Sequence, residues 1–441
     1  MRHPPGQGKP GPSRQKRRVP SRGNRRRQSR EKKSGRKPQL RSQRNEMAVA
    51  ARPISVFMLV LLFLVGGSGG SGAKAPGVTA NSITFGQSSC LSGPCGHAGL
   101  QVSAGILAAF HERNQQGGVN GRRLELVSRD HEYQAEKAAA DAMKFVSDNN
   151  VFAIVGGIGS PTARRMAPIL RRAKMPFVGI VSGADFLRDR KRFPNVVNLR
   201  TSYGEETRRL VSHMFNKLGA RRFGVIYQDD AFGRSVLNSY HEALKALGLP
   251  ILAKASYSWH SHSVHSSVFL LQKADLDVVM LATTTTNAVD AIDMARTLGD
   301  TYAVGLLSIV NTDLLRRSLD RSFEPAVVAR ITPDVRKGSI ALVRRFRSAL
   351  ARYRRASPEA AARVAGPYSL EGYIVGRFVI AVLERMPDEP TREKFLASAL
   401  ATKPVGIDDW VISFAAGSNA GSDYVRLIEY SNDNPDKVTA E

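Results

Sequence analysis

Residues 154–185 constrain this chain most: IVGGIGSPTARRMAPILRRAKMPFVGIVSGAD. The apolar stretch at 151–155 reads as a buried strand and runs into a Gly-Gly-x-Gly-Ser turn. A helix follows, then a second apolar strand at 177–181 that ends in Ser-Gly-Ala-Asp. Strand, helix and strand in that order give a parallel pair bridged by a crossover helix. Both strands finish in small residues and hydroxyls at the carboxyl edge of the sheet, where open α/β sheets hold ligands. Ser160 is placed to cap the helix, with Pro161 at its first position. Backbone N–H groups at a helix start suit an acidic ligand group. The local pattern therefore predicts a cleft for a small anion-bearing molecule.

The same alternation continues from residue 76. Strands are predicted at 82–87 and 123–129, with helices at 98–115 and 135–148; Gly117-Gly118 stops the first helix. A second set begins at 205, with helices at 205–218, 234–247 and 287–298 and strands at 222–227, 278–282 and 303–307. Later, 338–352 and 369–385 read as helices and 410–430 as short strands around Gly417 and Gly421. Repeated βα units predict an α/β protein: two doubly wound parallel sheets with helices on both faces. Each set is long enough for its own core. The link VVNLRTS at 196–202 has no Gly/Pro-rich tether, so a stiff hinge is expected.

Charge is unevenly placed. Residues 1–46 hold 17 Lys and Arg against two Glu, more than half of the net +27. That tract has no Phe, Trp or Tyr and cannot bury a core, so disorder is expected there. It reads as a nucleic-acid or anionic-membrane arm, or as a segment absent from the mature protein. The second reading is preferred because a secretory leader follows. MAVAARPISVFMLVLLFLVGGSGGSGAKA at 47–75 has a positive start at Arg52, an apolar run at 54–65 too short to span a bilayer, and an Ala73-Lys74-Ala75 cleavage site. Met47 is then the expected true start, and an exported, periplasmic protein is expected.

Only Cys90 and Cys95 occur, in SSCLSGPCGHAG. Export makes a disulfide between them the expected state, a small loop staple contributing roughly 2 kcal/mol. A redox pair would need C-x-x-C spacing.

The order of elements resembles the type I periplasmic substrate-binding proteins of the branched-chain amino-acid (Leu/Ile/Val) uptake family. The matching segments include ITFGQSSCLSGPCGHAG, QGGVNGRRLELVSRD, VGGIGSPTARRMAPI, VSGADFLRD, VIYQDDAFGRS, FRSALARY and YSLEGYIVGRFVIAVLE, between about 82 and 401. The resemblance implies two lobes joined by a three-crossover hinge, at 76–198 plus 332–400 and at 199–331 plus 401–441. It implies a small ligand, an amino acid or another small carboxylate or amide, captured between the lobes. The ligand then passes to an ABC permease in the inner membrane. The alternative on the same fold is a sensing module reporting to a receptor or kinase.

The resemblance assigns the ligand carboxylate to Ser160, Ser182 and Gly183. Ala98 falls where some relatives place an aromatic lid, which predicts a larger or more open pocket. Phe232 stands where relatives usually carry Tyr; it either packs on the ligand or fills the lobe core. Tyr203 either reaches the cleft from the hinge or packs within it. Thr284 is the residue of the run Thr283–Asn287 placed to line the pocket, the rest being turn and cap chemistry. Ser308 sits near the place where amino-acid-binding relatives carry an acid, and no carboxylate follows until Asp313. An ammonium there would stay unpaired, which is costly; Asp185, Asp229 and Asp230 are the possible substitutes.

Other chemistries find little support. His260, His262 and His265 are close in sequence but have no acid or cysteine among them, so no metal is expected. The turn at 156–160 lacks the spacing of a dinucleotide or phosphate loop, and Pro161 blocks a G-x-S-x-G elbow. No cofactor, no catalytic residue and no nucleic-acid partner are expected, and no enzyme is assembled.

Overall fold

The computed structural model describes residues 75–441 apart from 261–262, 321, 358–364, 387–388, 432–433 and 439–441. The basic tract, the leader up to residue 74 and His262 lie outside the described residues.

The first lobe opens with β1 (Ser82–Ser89), α1 (Gly96–Gln115), β2 (Arg123–Asp130), α2 (Ala135–Asp148), β3 (Ile154–Val155), α3 (Ser160–Arg172), β4 (Phe177–Val178) and β5 (Val196–Val197). Its five strands lie in the order β2-β1-β3-β4-β5, every pair parallel. β3 and β4 are wholly apolar because helices cover both faces of such a sheet.

The second lobe follows with α4 (Tyr203–Lys217), β6 (Phe223–Gln228), α5 (Ala231–Lys245), β7 (Ile251–Tyr257), α6 (His265–Leu271), β8 (Val278–Ala282), α7 (Thr285–Thr297), β9 (Ala303–Leu306), α8 (Thr312–Leu319) and β10 (Ala326–Arg330). The chain returns to the first lobe for α9 (Ala341–Ala356), α10 (Pro367–Glu384), α11 (Arg392–Ala399) and the hairpin β11 (Val405–Ile407) and β12 (Trp410–Ile412). It ends in β13 (Arg426–Ser431) and β14 (Asn434–Val438), which join the second sheet. That sheet runs β14-β13-β10-β9-β8-β6-β7, parallel from β7 to β10 and antiparallel at β13 and β14.

One expected boundary moves. The sequence resemblance gives the second lobe everything from 401 onward, yet Val405, Ile407, Ile412 and Phe414 are buried in the core formed by β1, α1, α9 and α10. The hairpin needs an apolar surface, and α10 supplies it, so the final crossing falls after Phe414.

Three segments cross between the lobes, and two of them run together. Asn198 donates its N–H to Asn419 O (2.9 Å), Gly421 N–H donates to Asn198 O (2.8 Å), and Thr201 Oγ1 donates to Tyr424 O (2.8 Å). Two of the crossing segments are thus tied to each other by hydrogen bonds. Within the first lobe α1 and α10 pack closely enough that a Cβ on Gly105 would stand 2.0 Å from Ser369 O, so only glycine fits. No described helix is long and apolar enough to cross a membrane.

Candidate functional site

In a doubly wound sheet the order of strands reverses at one place, and the loops there diverge to leave a crevice at the carboxyl edge. In the first sheet that place lies between β1 and β3, in the second between β6 and β8. One cavity is lined from both. Cys95 and Ala98 follow β1, Gly159 and Ser160 follow β3, Phe232 follows β6, and Thr284 to Thr286 follow β8. Tyr133, Tyr203 and Tyr368 complete much of the wall. The space not filled by atoms amounts to about 790 Å³, the open mouth included.

On the first-lobe side, Ser160 is almost wholly buried and begins α3. It does not cap that helix, as the sequence suggests: the N-cap is Gly159, at φ 111°, with no side-chain cap. β4 approaches closely enough for the Ser160 and Ser182 hydroxyls to meet at 2.8 Å, so the serine pairs sideways. Ser182 and Gly183 stand behind the wall, and neither lines the cavity itself. Gly183 accepts the Tyr203 N–H at 2.8 Å. A Cβ on Gly183 would lie 2.5 Å from the Tyr203 ring, so the glycine makes room for the tyrosine. Ala98, in the first turn of α1, lines the cavity with the space its small side chain leaves. Cys90 and Cys95 are bonded to each other, fixing the loop that carries Pro94 to the wall.

From the hinge and the second lobe, Tyr203 opens α4 and meets Phe232 edge-on, ring centroids 5.3 Å apart. Both line the cavity and both are buried. Thr284 is the N-cap of α7, makes no side-chain cap and lines the cavity. Ser308 is placed elsewhere. Its hydroxyl accepts from Arg200 Nη2 at 2.5 Å and its N–H donates to Glu206 at 2.8 Å. A buried guanidinium needs acceptors, and Ser308 supplies one beside this cavity, not in it.

Sequence reasoning passed over Tyr133, Tyr368 and Asn311. Tyr133 OH donates to Asp230 Oδ2 (3.1 Å), and Tyr368 OH donates to Ile309 O (2.5 Å), so both tie the lobes together across the cavity. Tyr368 and Asn311 share a signal with Ser160: each stands where a helix begins, and Asn311 caps α8.

Electrostatically the cavity is unusual in what it lacks. None of the described residues lining it is Asp, Glu, Lys or Arg. The nearby charges are engaged outside the cavity. Asp230 caps α5 through the N–H groups of Phe232 and Gly233 and accepts from Gln228 and Tyr133. Burial raises its carboxyl above the usual range, against the hydrogen bonds that lower it. Arg200 lies 3.6 Å from Glu371 and 3.9 Å from Glu206, all three buried, and desolvation raises both glutamates. Beneath Tyr133, His131 is wholly buried, and desolvation pushes its imidazole down to about 4. Among the described residues no group of three or more His, Cys, Asp or Glu is placed to hold a metal ion.

Residues 82–420 match the profile of a family described as periplasmic binding protein. The Leu/Ile/Val-binding protein homolog 7 of Brucella melitensis is 29% identical over 198 residues, covering 43% of this chain; the match spans about half (49%) of that relative's length. Among solved structures, a possible leucine/isoleucine/valine-binding protein from Rhodopirellula baltica is 26% identical, with TM-score 0.73, covering 84% of this chain and 98% of that one. A substrate-binding periplasmic protein from Ralstonia solanacearum is 25% identical, with TM-score 0.74, covering 81% of this chain and all (100%) of that one.

Proposed function

This chain belongs to the periplasmic binding protein family, and on that premise we propose that it captures a small organic ligand between its two lobes. The ligand is a carboxylate, an amide or an amino-acid-like molecule, delivered to an ABC permease in the inner membrane. One observation carries this reading: the cavity lies where the two strand-order reversals face each other, so each lobe supplies half of a wall. A ligand held by both halves stabilises the closed arrangement over the open one and shifts an equilibrium that exists without it.

In this reading Ser160 hydrogen-bonds the ligand, with Ser182 and Gly183 fixing Ser160 and Tyr203 from behind. Phe232, Tyr203 and Thr284 close from the other side, and Ala98 leaves room at the mouth. Ser308 acts indirectly, by holding Arg200. The site binds without turnover. The protein works in the periplasm after a leader is removed near Ala75, with the Cys90–Cys95 pair oxidised there.

A calorimetric panel of amino acids, aromatic and short-chain acids, amides and urea tests the proposal. The expected result is saturable one-to-one binding by one chemical class, with a smaller radius of gyration in solution scattering. Failure of every compound, or binding with an unchanged scattering profile, contradicts it.

A further inference from the structure

The cavity has aromatic and aliphatic walls, and its polar groups are hydroxyls, the Asn311 amide and the rim residue His97. Two helices start at its wall from opposite lobes, α3 at Ser160 and α7 at Thr285, and neither has a side-chain cap. The start of a helix carries a partial positive charge and N–H groups that lack acceptors within the helix. Helix starts at a cavity wall favour an anion there and oppose a cation.

An ammonium group brings three donors and a full charge, and out of water it needs acceptors, at least one of them ionised. The lining provides no carboxylate. Asp230 lies just behind Tyr133, but four donors already hold it. Glu206 and Glu371 face the buried Arg200. The Ile309 carbonyl, at the wall, is taken by the Tyr368 hydroxyl.

We infer that the ligand is a carboxylate with an apolar or aromatic body and no ammonium group, and that the cavity discriminates against the matching α-amino acid. The inference rests on the reading of this cavity as the ligand site. The carboxylate meets Ser160 and the uncapped helix starts, and the body lies against Phe232, Tyr203 and Tyr368. An added ammonium is desolvated with no ionised partner.

Calorimetry on the mature protein with matched pairs tests this: isocaproate against leucine, and hydrocinnamate against phenylalanine. Within each pair the size and the carboxylate are kept, and only the amine differs. The expected result is that in at least one pair the acid lacking the amine binds, and binds about tenfold or more tightly than the amino acid. Equal or tighter binding of the amino acid in both pairs overturns the inference and leaves the cavity reading intact. Binding by none of the four also overturns it; only if the wider panel of amides and amino acids fails too does the cavity reading fall with it.

Discussion

The hydroxyls of Ser160 and Ser182 lie 2.8 Å apart, both buried, and their hydrogen bond joins the turns that follow β3 and β4. One hydroxyl donates to the other, so the pair retains one proton to give elsewhere. When Ser182 is the donor, that proton belongs to Ser160 at the cavity wall, within reach of the Tyr203 hydroxyl and of a ligand oxygen.

Replacing Ser160 with Ala removes the wall hydroxyl and leaves Ser182 without its partner. Affinity for whichever ligand binds should fall by roughly 1–3 kcal/mol, the range for a buried polar group left unpaired. Titration calorimetry of S160A measures it. Unchanged affinity removes Ser160 from the site.

Tyr133→Phe tests the link across the cavity. The phenol is the first lobe's donor to Asp230, at 3.1 Å, and its ring stacks edge-on with Trp259 at 5.5 Å. Phe keeps the ring contact and loses both this hydrogen bond, about 1–3 kcal/mol with a charged partner, and the one the phenol accepts from Gln228 Nε2 at 3.2 Å. Because the bond forms only when the lobes meet, the loss should appear in ligand affinity. The denaturation midpoint of the unliganded protein should move little. The opposite split, stability lost and affinity kept, would place the bond within one rigid unit.

Arg200 is the cation between two buried carboxylates, Glu206 and Glu371, and also donates to Ser308. Arg200→Met leaves both carboxylates unpaired in a place where burial already raises them. Removing one member of a buried ionic group costs about 3–5 kcal/mol. Urea denaturation at neutral pH should show a loss of that size. A loss under about 1 kcal/mol would mean that water reaches these carboxylates.

His131 sets a pH dependence. Its imidazole is held neutral by burial, down to about 4 when folded, against about 6.5 in an unfolded chain. Below pH 6.5 the unfolded chain takes a proton that the folded protein refuses, so stability falls with pH until about 4 and then levels. From pH 7 to pH 5 the contribution is about 2 kcal/mol. His131→Asn keeps an acceptor for the Tyr133 N–H, which now donates to Nδ1 at 3.0 Å, and should flatten this part of the profile. Parallel profiles for the two proteins, measured by denaturant midpoint at several pH values, would contradict the assignment.

Much of the fold was legible because buried parallel strands announce themselves. VVMLA at 278–282 and the strands on either side of the 156–160 turn are short apolar runs between helical repeats. β7 was not read, since ILAKASY is an edge strand with alternate residues exposed and Lys254 in its middle. The candidate site was legible at strand ends, where Ser160, Phe232 and Thr284 all line the cavity. What those residues touch was not. Whether Ser160 caps its own helix or pairs with Ser182 depends on how near β4 comes. Whether Ser308 meets the cavity or Arg200 depends on a guanidinium far away in sequence. The hairpin β11–β12 was assigned to the wrong core for the same reason: apolar residues declare that they are buried, but not against what.

The most direct test of the central claim is a crystal structure of the mature protein with the tightest compound from the binding panel. The account predicts density for that compound between the lobes, in contact with Ser160 on one side and with Phe232 or Thr284 on the other. Density bound to one lobe alone, or on the outer surface away from both strand-order reversals, would contradict it.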